Sequence, residues 1–298
     1  MQTQSARRSL LPALASVLIW ATLSTVGKLV LQGLPDLETL GISSAFAFVF
    51  MAAALVVTGK YKLLKTYSLR QYAVMAGLGF LGLFVYSALY YFGLGRLPAG
   101  EACILNYLWP VMLVLFSCVI LKEKLTVKKA AALLLSFAGA AILSLGGAET
   151  GAPGRWPGMA ACVGAAACYG LYCVLNKKCD FDQTVMMTAV WLTVALCCFL
   201  LGPLTERWVP VRGWQWPGLG WLGVFVNAVA YLTWGVALQR AQGTAAVANL
   251  AYAVPFLSLL LSALVLKEKI TLAAAAALVL IVGGILLQSV PARRKKTS

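Results

Sequence analysis

The sequence contains no histidine and few acidic residues. Its 298 residues include 9 Asp and Glu against 24 Lys and Arg, and charged residues make up 11% of the chain. Histidine is the commonest metal ligand and the side chain that titrates nearest neutral pH, and acid–base catalysis needs such groups in fixed positions. Their scarcity argues against an enzyme that works through imidazoles, paired carboxylates or a bound metal. It also leaves no obvious proton relay.

Paired cysteine spacings are missing as well. The sequence has 8 cysteines (Cys103, Cys118, Cys162, Cys168, Cys173, Cys179, Cys197 and Cys198) and no C-x2-C spacing. Metal sites call for such spacings, and disulfide frameworks belong to small secreted chains. A phosphate-binding loop, a zinc motif and a nucleophile elbow are also absent. We therefore expect free thiols that pack as small apolar groups, with no metal, no cofactor and no catalytic residue.

What the chain does have is apolar sequence. Hydrophobic residues make up 61% of it, and its mean hydropathy is +0.87. A helix that crosses the hydrocarbon core needs roughly 20 mostly apolar residues. Ten such runs fit, at 9–31, 37–58, 72–94, 99–121, 127–146, 156–176, 183–202, 218–239, 244–266 and 271–290. The sequence predicts an all-α polytopic membrane protein with ten transmembrane helices, the first of which is longer than a signal-peptide core and is retained.

The excess of basic residues is one-sided. With the amino end inside, 17 of the Lys and Arg residues fall in cytoplasmic segments and 7 on the other side. Such an asymmetry in short loops is the positive-inside rule. It predicts the cytoplasmic (inner) membrane as the location, with both termini in the cytoplasm. The net charge of +15 is then a signal of topology, and nucleic acid is not expected as a partner.

A segment of the first half of the sequence recurs 145 residues later. Residues 105–145 and 250–290 share 17 identities in 41 ungapped positions, including Pro110 with Pro255 and Leu121–Lys124 with Leu266–Lys269. Copies of five helices each, an odd number, must enter the membrane from opposite sides. The prediction is two inverted five-helix repeats, 1–150 (helices 1–5) and 151–298 (helices 6–10). Secondary transporters commonly have this architecture, with a substrate site at mid-membrane between the repeats.

Aromatic residues recur at matched places in three helix pairs. They are Trp20 with Tyr169, Tyr86 with Tyr231, and Tyr107 with Tyr252. Tyrosine hydroxyls and asparagine amides that face lipid lack partners, so these residues should face the bundle or a wet cavity. Helix packing and interfacial aromatic belts are the alternatives for any single tyrosine. For the matched set we favour a cavity.

Two prolines and one acid lie inside or near the ends of the predicted spans. Pro110 and Pro255 should kink their helices and release the carbonyls of Asn106 and Ala251 from helical hydrogen bonds. Those carbonyls could bind a substrate amine or water in a cavity, or the kinks could serve packing alone. Glu101 lies in the first turn of the fourth helix, where we expect it to stabilise the positive end of the helix dipole.

Several of these stretches resemble one transporter family. Residues 19–22 (Ile-Trp-Ala-Thr) and 106–110 (Asn-Tyr-Leu-Trp-Pro), Tyr172-Cys173 with Asn176-Lys177, and Ala230-Tyr231 with Trp234 are similar to the EamA family of the drug/metabolite transporter superfamily, and within it to bacterial aromatic amino acid exporters. The resemblance covers essentially the whole chain. It implies a central cavity lined by helices 1, 3, 4, 6, 8 and 9, with helices 5 and 10 supporting the packing of the repeats.

The expected function is outward transport of an amino acid or a similar small metabolite by alternating access. Aromatic faces would stack on the solute, and Asn106 with the freed carbonyls would engage its head group. The expected substrate-binding residues are Trp20, Tyr86, Tyr90, Asn106, Trp109, Tyr169, Tyr231, Trp234 and Tyr252, with Pro110 and Pro255 as helix kinks. Membrane lipid is the other expected partner, and a monomer the simplest assembly. A carrier of sugars, nucleobases or cationic drugs, a lipid-modifying membrane enzyme and a non-transporting scaffold remain alternatives.

Overall fold

The regular secondary structure of the described chain is helical throughout. The computed structural model describes residues 2–146, 152–240 and 250–289, and no strand occurs in these ranges. Within these ranges, eight helices are long and apolar enough to cross a membrane. They are α1 (Leu10–Leu31, continuing a helix that begins at Gln2), α2 (Asp36–Val57), α3 (Leu69–Arg96), α4 (Ala99–Ile120), α5 (Val127–Gly146), α6 (Arg155–Asn176), α7 (Gln183–Thr205) and α8 (Gln215–Ala237), followed by the shorter α9 (Ala251–Val265) and α10 (Leu272–Ser289).

The predicted helix boundaries agree closely with the observed ones. For example, the runs predicted at 37–58 and 127–146 correspond to Asp36–Val57 and Val127–Gly146. The all-α polytopic membrane fold is therefore confirmed. The ninth predicted run, 244–266, begins outside the described residues, so α9 is described from 250 onward.

Several spans are interrupted near their middle. In α4 one helix ends at Asn106 and the next begins at Trp109. Pro110 has no N–H and is readily accommodated in the first turn of a helix, so the chain restarts the helix there instead of bending one continuous helix. The expected kink is thus a complete break. In α9 the residues before Pro255 form a 3₁₀ turn, Ala251–Ala253, before the α-helix starts at Val254.

The third and eighth helices both widen into π-helical turns. These segments are Phe80–Val85 in α3 and Trp221–Val229 in α8, and they overlap when one is shifted by 145 residues. Tyr86 follows the first segment directly and Tyr231 comes two residues after the second. Such π-helical turns are frequent at functional sites. Each segment here lies just before one of the two matched tyrosines.

Residues 145 positions apart also share unusual backbone geometry. Lys122 and Lys267 are the non-glycine residues with positive φ in the described chain, at 56° and 59°. The N–H groups of the residues on either side of Lys122 donate to the Ser117 carbonyl at 3.0 and 3.3 Å, and those on either side of Lys267 donate to the Ser262 carbonyl at 2.9 and 3.4 Å. A residue with positive φ directly after the last turn is a common way for a helix to end. The repeated sequence therefore produces the same local structure twice.

Helices α5 and α10 pack closely through small residues. A Cβ atom on Gly139 would lie 2.9 Å from the Ala277 carbonyl oxygen, and one on Gly284 would lie 2.7 Å from the Ala132 carbonyl oxygen. Ala277 and Gly284 are the counterparts of Ala132 and Gly139, so the contact is reciprocal. The earlier contact residue of α5, Ala132, meets the later one of α10, Gly284, and the later one of α5, Gly139, meets the earlier one of α10, Ala277. The two helices are therefore antiparallel. Close approach through glycine is a common way for membrane helices to associate.

The first half of α4 lies at the centre of the bundle. Every residue from Ala99 to Leu108 is buried, and the segment packs against α1, α6, α9 and α10. A helix that is apolar on all sides is typical of such a position. The break at Asn106 is therefore held in the interior of the protein.

We predict that two adjacent glycines of α10 respond oppositely to alanine. Both replacements gain about 1 kcal/mol of helix propensity. A Cβ on Gly283 meets nothing within 4 Å, whereas a Cβ on Gly284 would lie 2.7 Å from backbone and 2.6 Å from the Ser136 Oγ, an overpacking that typically costs about 1–3 kcal/mol. Gly284→Ala should lower the unfolding temperature of the detergent-solubilised protein, and Gly283→Ala should keep or raise it. Equal stability of the two variants would contradict the close α5–α10 contact.

Candidate functional site

A central cavity of about 670 Å³ lies between the helices. Its volume is in the range of small-molecule sites. All nine residues expected to bind substrate lie on its wall: Trp20, Tyr86, Tyr90, Asn106, Trp109, Tyr169, Tyr231, Trp234 and Tyr252. Pro110 lies on the wall too, whereas Pro255 is buried outside it. The positions that the repeat singled out are thus brought together in one place.

The wall also includes residues from two helices, α7 and α2, that sequence reasoning left out. Gln183, Met187 and Trp191 of α7 line the cavity, as does Leu40 of α2, so the expectation of six lining helices was incomplete. Trp191 sits in a nearly continuous apolar run, so the sequence did not indicate which side chains of α7 meet the cavity. Asn227 of α8, which shares the polar face of Tyr231, was likewise not among the expected binding residues.

The aromatic side chains form two clusters in which corresponding rings lie at similar distances. Trp20 contacts Tyr231 with ring centroids 5.3 Å apart, and Tyr169 contacts Tyr86 at 5.0 Å. Because Trp20 corresponds to Tyr169 and Tyr86 to Tyr231, the two contacts are related by the repeat. Trp234 extends the first cluster, with its ring centroid 5.4 Å from that of Trp20. Trp109 extends the second cluster, with its ring centroid 5.2 Å from that of Tyr169. The cavity is therefore bounded by aromatic faces from both halves of the chain.

Two hydrogen bonds fix the polar part of the wall next to the break in α4. The Asn106 Nδ2 donates to the Tyr86 hydroxyl at 3.1 Å, and the Tyr107 hydroxyl donates to the Ala251 carbonyl at 2.7 Å. Ala251 is one of the residues whose carbonyl was expected to be freed by a proline. That oxygen is engaged by the protein itself, across the two broken helices.

The cavity reaches one end of the bundle. Its wall extends to Asn176, the last residue of α6, and Gln183, the first residue of α7. At the same end, the Lys60 Nζ lies 2.8 Å from the Asp182 Oδ2 and ties the end of α2 to the α6–α7 turn. We call this the open end of the molecule.

The opposite end is closed by polar contacts between helices. The Lys28 Nζ of α1 donates to the carbonyl oxygens of Leu94, Gly95 and Leu97 at 2.8, 3.2 and 2.7 Å. Those carbonyls lie where α3 ends, a position that favours a cation. The contact joins α1 to the turn between α3 and α4 at what we call the closed end.

A buried ion pair lies at the closed end. The Arg155 Nη1 lies 2.8 Å from the Glu101 Oε2, with side-chain exposures of 2% and 4%, and the Arg155 Nη2 donates to the Leu143 carbonyl at 3.1 Å. The expectation that Glu101 acts through the helix dipole was therefore incomplete, because its carboxylate is held by an arginine from the second half of the chain. Sequence spacing could not show a pairing across 54 residues.

The first amides of α4 receive a different carboxylate. Glu268, in the turn between α9 and α10, accepts the N–H groups of Ala99 and Gly100 at 2.7 and 3.3 Å. A carboxylate at this position satisfies unpaired helix donors and complements the dipole. Glu268 belongs to the second half and α4 to the first, so this bond also joins the halves.

The counterpart of Glu268 has a different environment. Glu123 lies at the open end and pairs with Lys129 at 2.9 Å, with 41% of its side chain exposed. The hydrogen bond from Lys129 keeps the pKa of the Glu123 carboxyl below its usual value. The Leu-Lys-Glu-Lys element thus occurs twice, and its glutamate is docked between the halves at the closed end but exposed to solvent at the open end.

Membrane-spanning helices around an aromatic cavity that is open at one end define a membrane transporter. The chain belongs to the EamA-like transporter family, whose model matches residues 7–145 and 156–290. The resemblance seen in the sequence is confirmed. The protein is accordingly a multi-pass membrane transporter of small molecules and not an enzyme.

Named relatives match most of the chain. It is 30% identical over 283 residues, 94% of its length and 96% of the relative's, to a protein of Ancylobacter novellus named aromatic amino acid exporter YddG. A probable terminal-alkyne amino-acid exporter of Streptantibioticus cattleyicolor is 29% identical over 206 residues, 67% of each chain. A solved crystal structure superposes with a TM-score of 0.68 at 26% identity and covers 94% of this chain and 96% of its own. Two relatives of the chain are thus named as amino acid exporters.

We predict that the Arg155–Glu101 pair is essential to the closed end. Arg155→Met should destabilise the protein by about 3–5 kcal/mol, because it leaves a buried carboxylate without its charged partner. The control is Arg96→Met at the same end, since Arg96 lies 3.4 Å from Asp36 and has 36% of its side chain exposed. An exposed pair contributes less than about 1 kcal/mol.

The measurement is thermal unfolding of the purified variants in one detergent. Adding Glu101→Gln to Arg155→Met should recover part of the loss, because the charge left unpaired is removed. The buried pair has no special role if Arg155→Met and Arg96→Met unfold at the same temperature.

Proposed function

We propose that this protein exports a small amino acid with an apolar or aromatic side chain across the cytoplasmic membrane by alternating access. The observation that carries the proposal is the aromatic cavity between the two halves, which reaches one end of the bundle while polar contacts close the other. A solute could enter such a site from one side at a time.

An inverted arrangement of the halves 1–150 and 151–298 supports the mechanism. The matched helix ends at Lys122 and Lys267 lie at opposite ends of the molecule, and the α5–α10 contact is reciprocal and antiparallel. Both features follow if one half is related to the other by a two-fold axis in the membrane plane. Two halves of similar structure can exchange conformations at little net cost, which opens the site to the other side.

The distribution of charge supports an orientation in the membrane. The open end carries the basic segments 60–65, 122–129 and 177–178, which the positive-inside rule assigns to the cytoplasm. In this orientation both termini are cytoplasmic and the cavity is accessible from inside the cell. That is the conformation in which an exporter would take up its solute.

The chemistry of the wall supports the solute class. Wall residues Trp20, Tyr86, Tyr169 and Tyr231 present aromatic faces on which an apolar or aromatic side chain could stack, with each such contact contributing about 0.5–1.5 kcal/mol beyond area burial. Relatives named as exporters of aromatic and terminal-alkyne amino acids point in the same direction. We assign substrate contact to the nine wall residues predicted from the sequence.

The orientation predicts opposite labelling of two matched lysines. In a variant without its native cysteines, Lys269→Cys should react with a membrane-impermeant maleimide added to intact cells, and Lys124→Cys should react only after the membrane is opened. Both positions are exposed in the structure, so accessibility is set by the membrane alone. Reaction of both cysteines from the same side would rule out the inverted arrangement.

Transport by purified protein should depend on the wall residues. In proteoliposomes, Asn106→Ala and Tyr86→Ala should each lower amino acid counterflow by about tenfold, because the loss of a hydrogen bond or stacking face costs roughly 1–2 kcal/mol. Tyr61→Ala is the control, since Tyr61 is 48% exposed outside the cavity. Wild-type counterflow in both wall variants would remove these residues from the site. Repeating the assay with and without a proton gradient would show whether transport is coupled.

A further inference from the structure

Three residues that line the cavity each have a buried polar side-chain atom with no hydrogen-bond partner among the described residues. The atoms are the Oδ1 of Asn106, the Nδ2 of Asn227 and the Nε1 of Trp191. Their residues are 6%, 8% and 1% exposed. A buried polar group without a partner is costly, and such groups in native proteins call for an explanation. A ligand that supplied the missing partners would remove the cost.

The three atoms come from three helices and differ in chemistry. The Asn106 oxygen is an acceptor, the Asn227 amide nitrogen is a donor, and an indole N–H can only donate. Asn106 is fixed beside the Tyr86 cluster by its hydrogen bond to that hydroxyl. Trp191 lies beside the other cluster, with its ring 6.4 Å from Tyr231, and Asn227 is one turn before Tyr231. The wall thus offers an acceptor beside one aromatic cluster and two donors beside the other.

Nearby backbone groups are already engaged. The amides of Val111 and Met112, at the start of the second half of α4, both donate to the Leu108 carbonyl, and Pro110 has no N–H. The Ala251 carbonyl accepts the Tyr107 hydroxyl. A polar head group in the cavity therefore has side chains as its main partners.

The wall carries no formal charge. Within the described part of the chain, its residues include no Asp, Glu, Lys or Arg. A solute with a net charge would be desolvated there without a counter-ion, which is strongly unfavourable. A solute with both an ammonium and a carboxylate has zero net charge, and it could use the acceptor and the donors together.

We propose that Asn106, Asn227 and Trp191 form a head-group subsite for a zwitterion of zero net charge. The Asn106 Oδ1 accepts a hydrogen bond from the ammonium, and the Asn227 Nδ2 and Trp191 Nε1 donate to the carboxylate. This head-group subsite rests on the proposed export of an amino acid, and it specifies which polar groups of the solute the protein recognises. Amino acids with charged side chains, amines without a carboxylate and acids without an amine are poor ligands of this site.

The test uses three probes of the same ring and chain length. L-Phenylalanine has both charged groups, phenethylamine lacks the carboxylate, and 3-phenylpropionate lacks the ammonium. Binding to the purified full-length protein in nanodiscs is measured by calorimetry. Wild-type protein should bind phenylalanine at least about tenfold more tightly than either analogue, because each analogue leaves wall atoms unpaired.

Each variant should erase one of these preferences. Asn227→Leu and Trp191→Phe should reduce the preference for phenylalanine over phenethylamine by about tenfold, because the carboxylate loses a donor. Asn106→Leu should instead reduce the preference for phenylalanine over 3-phenylpropionate. Trp109→Phe, which also changes a wall indole, should weaken the binding of all three probes equally, so that both preferences for phenylalanine are kept.

The outcomes separate this proposal from the proposed function. If phenylalanine binds but Asn227→Leu and Trp191→Phe leave its preference over phenethylamine unchanged, or weaken every probe equally, the head-group subsite is wrong while amino acid binding stands. If lysine or glutamate binds as tightly as phenylalanine, the zero-charge requirement is wrong. If the wild-type protein binds no amino acid, both proposals fail.

Discussion

The absence of water in the hydrocarbon core governs this structure. Every polar group within a span must find its partner inside the protein, so each buried polar side chain is either paired or marks a place where a solute or water belongs. At the closed end, Arg155 pairs with Glu101, Lys28 with the carbonyls of α3, and Glu268 with the first amides of α4. Three residues that line the cavity have a buried polar atom with no partner among the described residues, and so do residues away from it, such as Thr39 and Gln215. Of these, only the cavity residues lie where a solute could supply the partner.

The same constraint explains the breaks in the helices. An interrupted helix exposes carbonyl and amide groups, which are tolerated at membrane depth only where protein or a cavity satisfies them. The break in α4 is surrounded by protein, and the Ala251 carbonyl at the start of α9 is satisfied by Tyr107 from the other half. The two irregular segments thus stabilise each other. This mutual dependence keeps them at the boundary between the halves, where a transport site requires adaptable backbone.

Much of the fold and wall could be predicted from the sequence, because two strong signals were available. The length and spacing of apolar runs gave the spans, and the 145-residue offset selected Tyr86, Tyr231, Tyr107 and Tyr252 as a set. What the sequence could not give depends on contacts between distant segments. The Arg155–Glu101 pair and the docking of Glu268 on α4 join residues whose separation carries no periodic signal. Trp191 was missed because an apolar run does not reveal which of its faces meets a cavity.

The difference between the two copies lies at the ends of the molecule and not at its centre. The matched aromatic contacts, Trp20 with Tyr231 and Tyr169 with Tyr86, have nearly equal distances of 5.3 and 5.0 Å. Glu268 and Glu123, in contrast, share a backbone conformation, yet one carboxylate is docked across the halves and the other is exposed. In the proposed mechanism, alternation between two conformations therefore requires little change in the contacts between the aromatic clusters. The proposed change exchanges the polar contacts of one end for those of the other, and charged groups near the membrane surface can make that exchange because water replaces their lost partners as they separate.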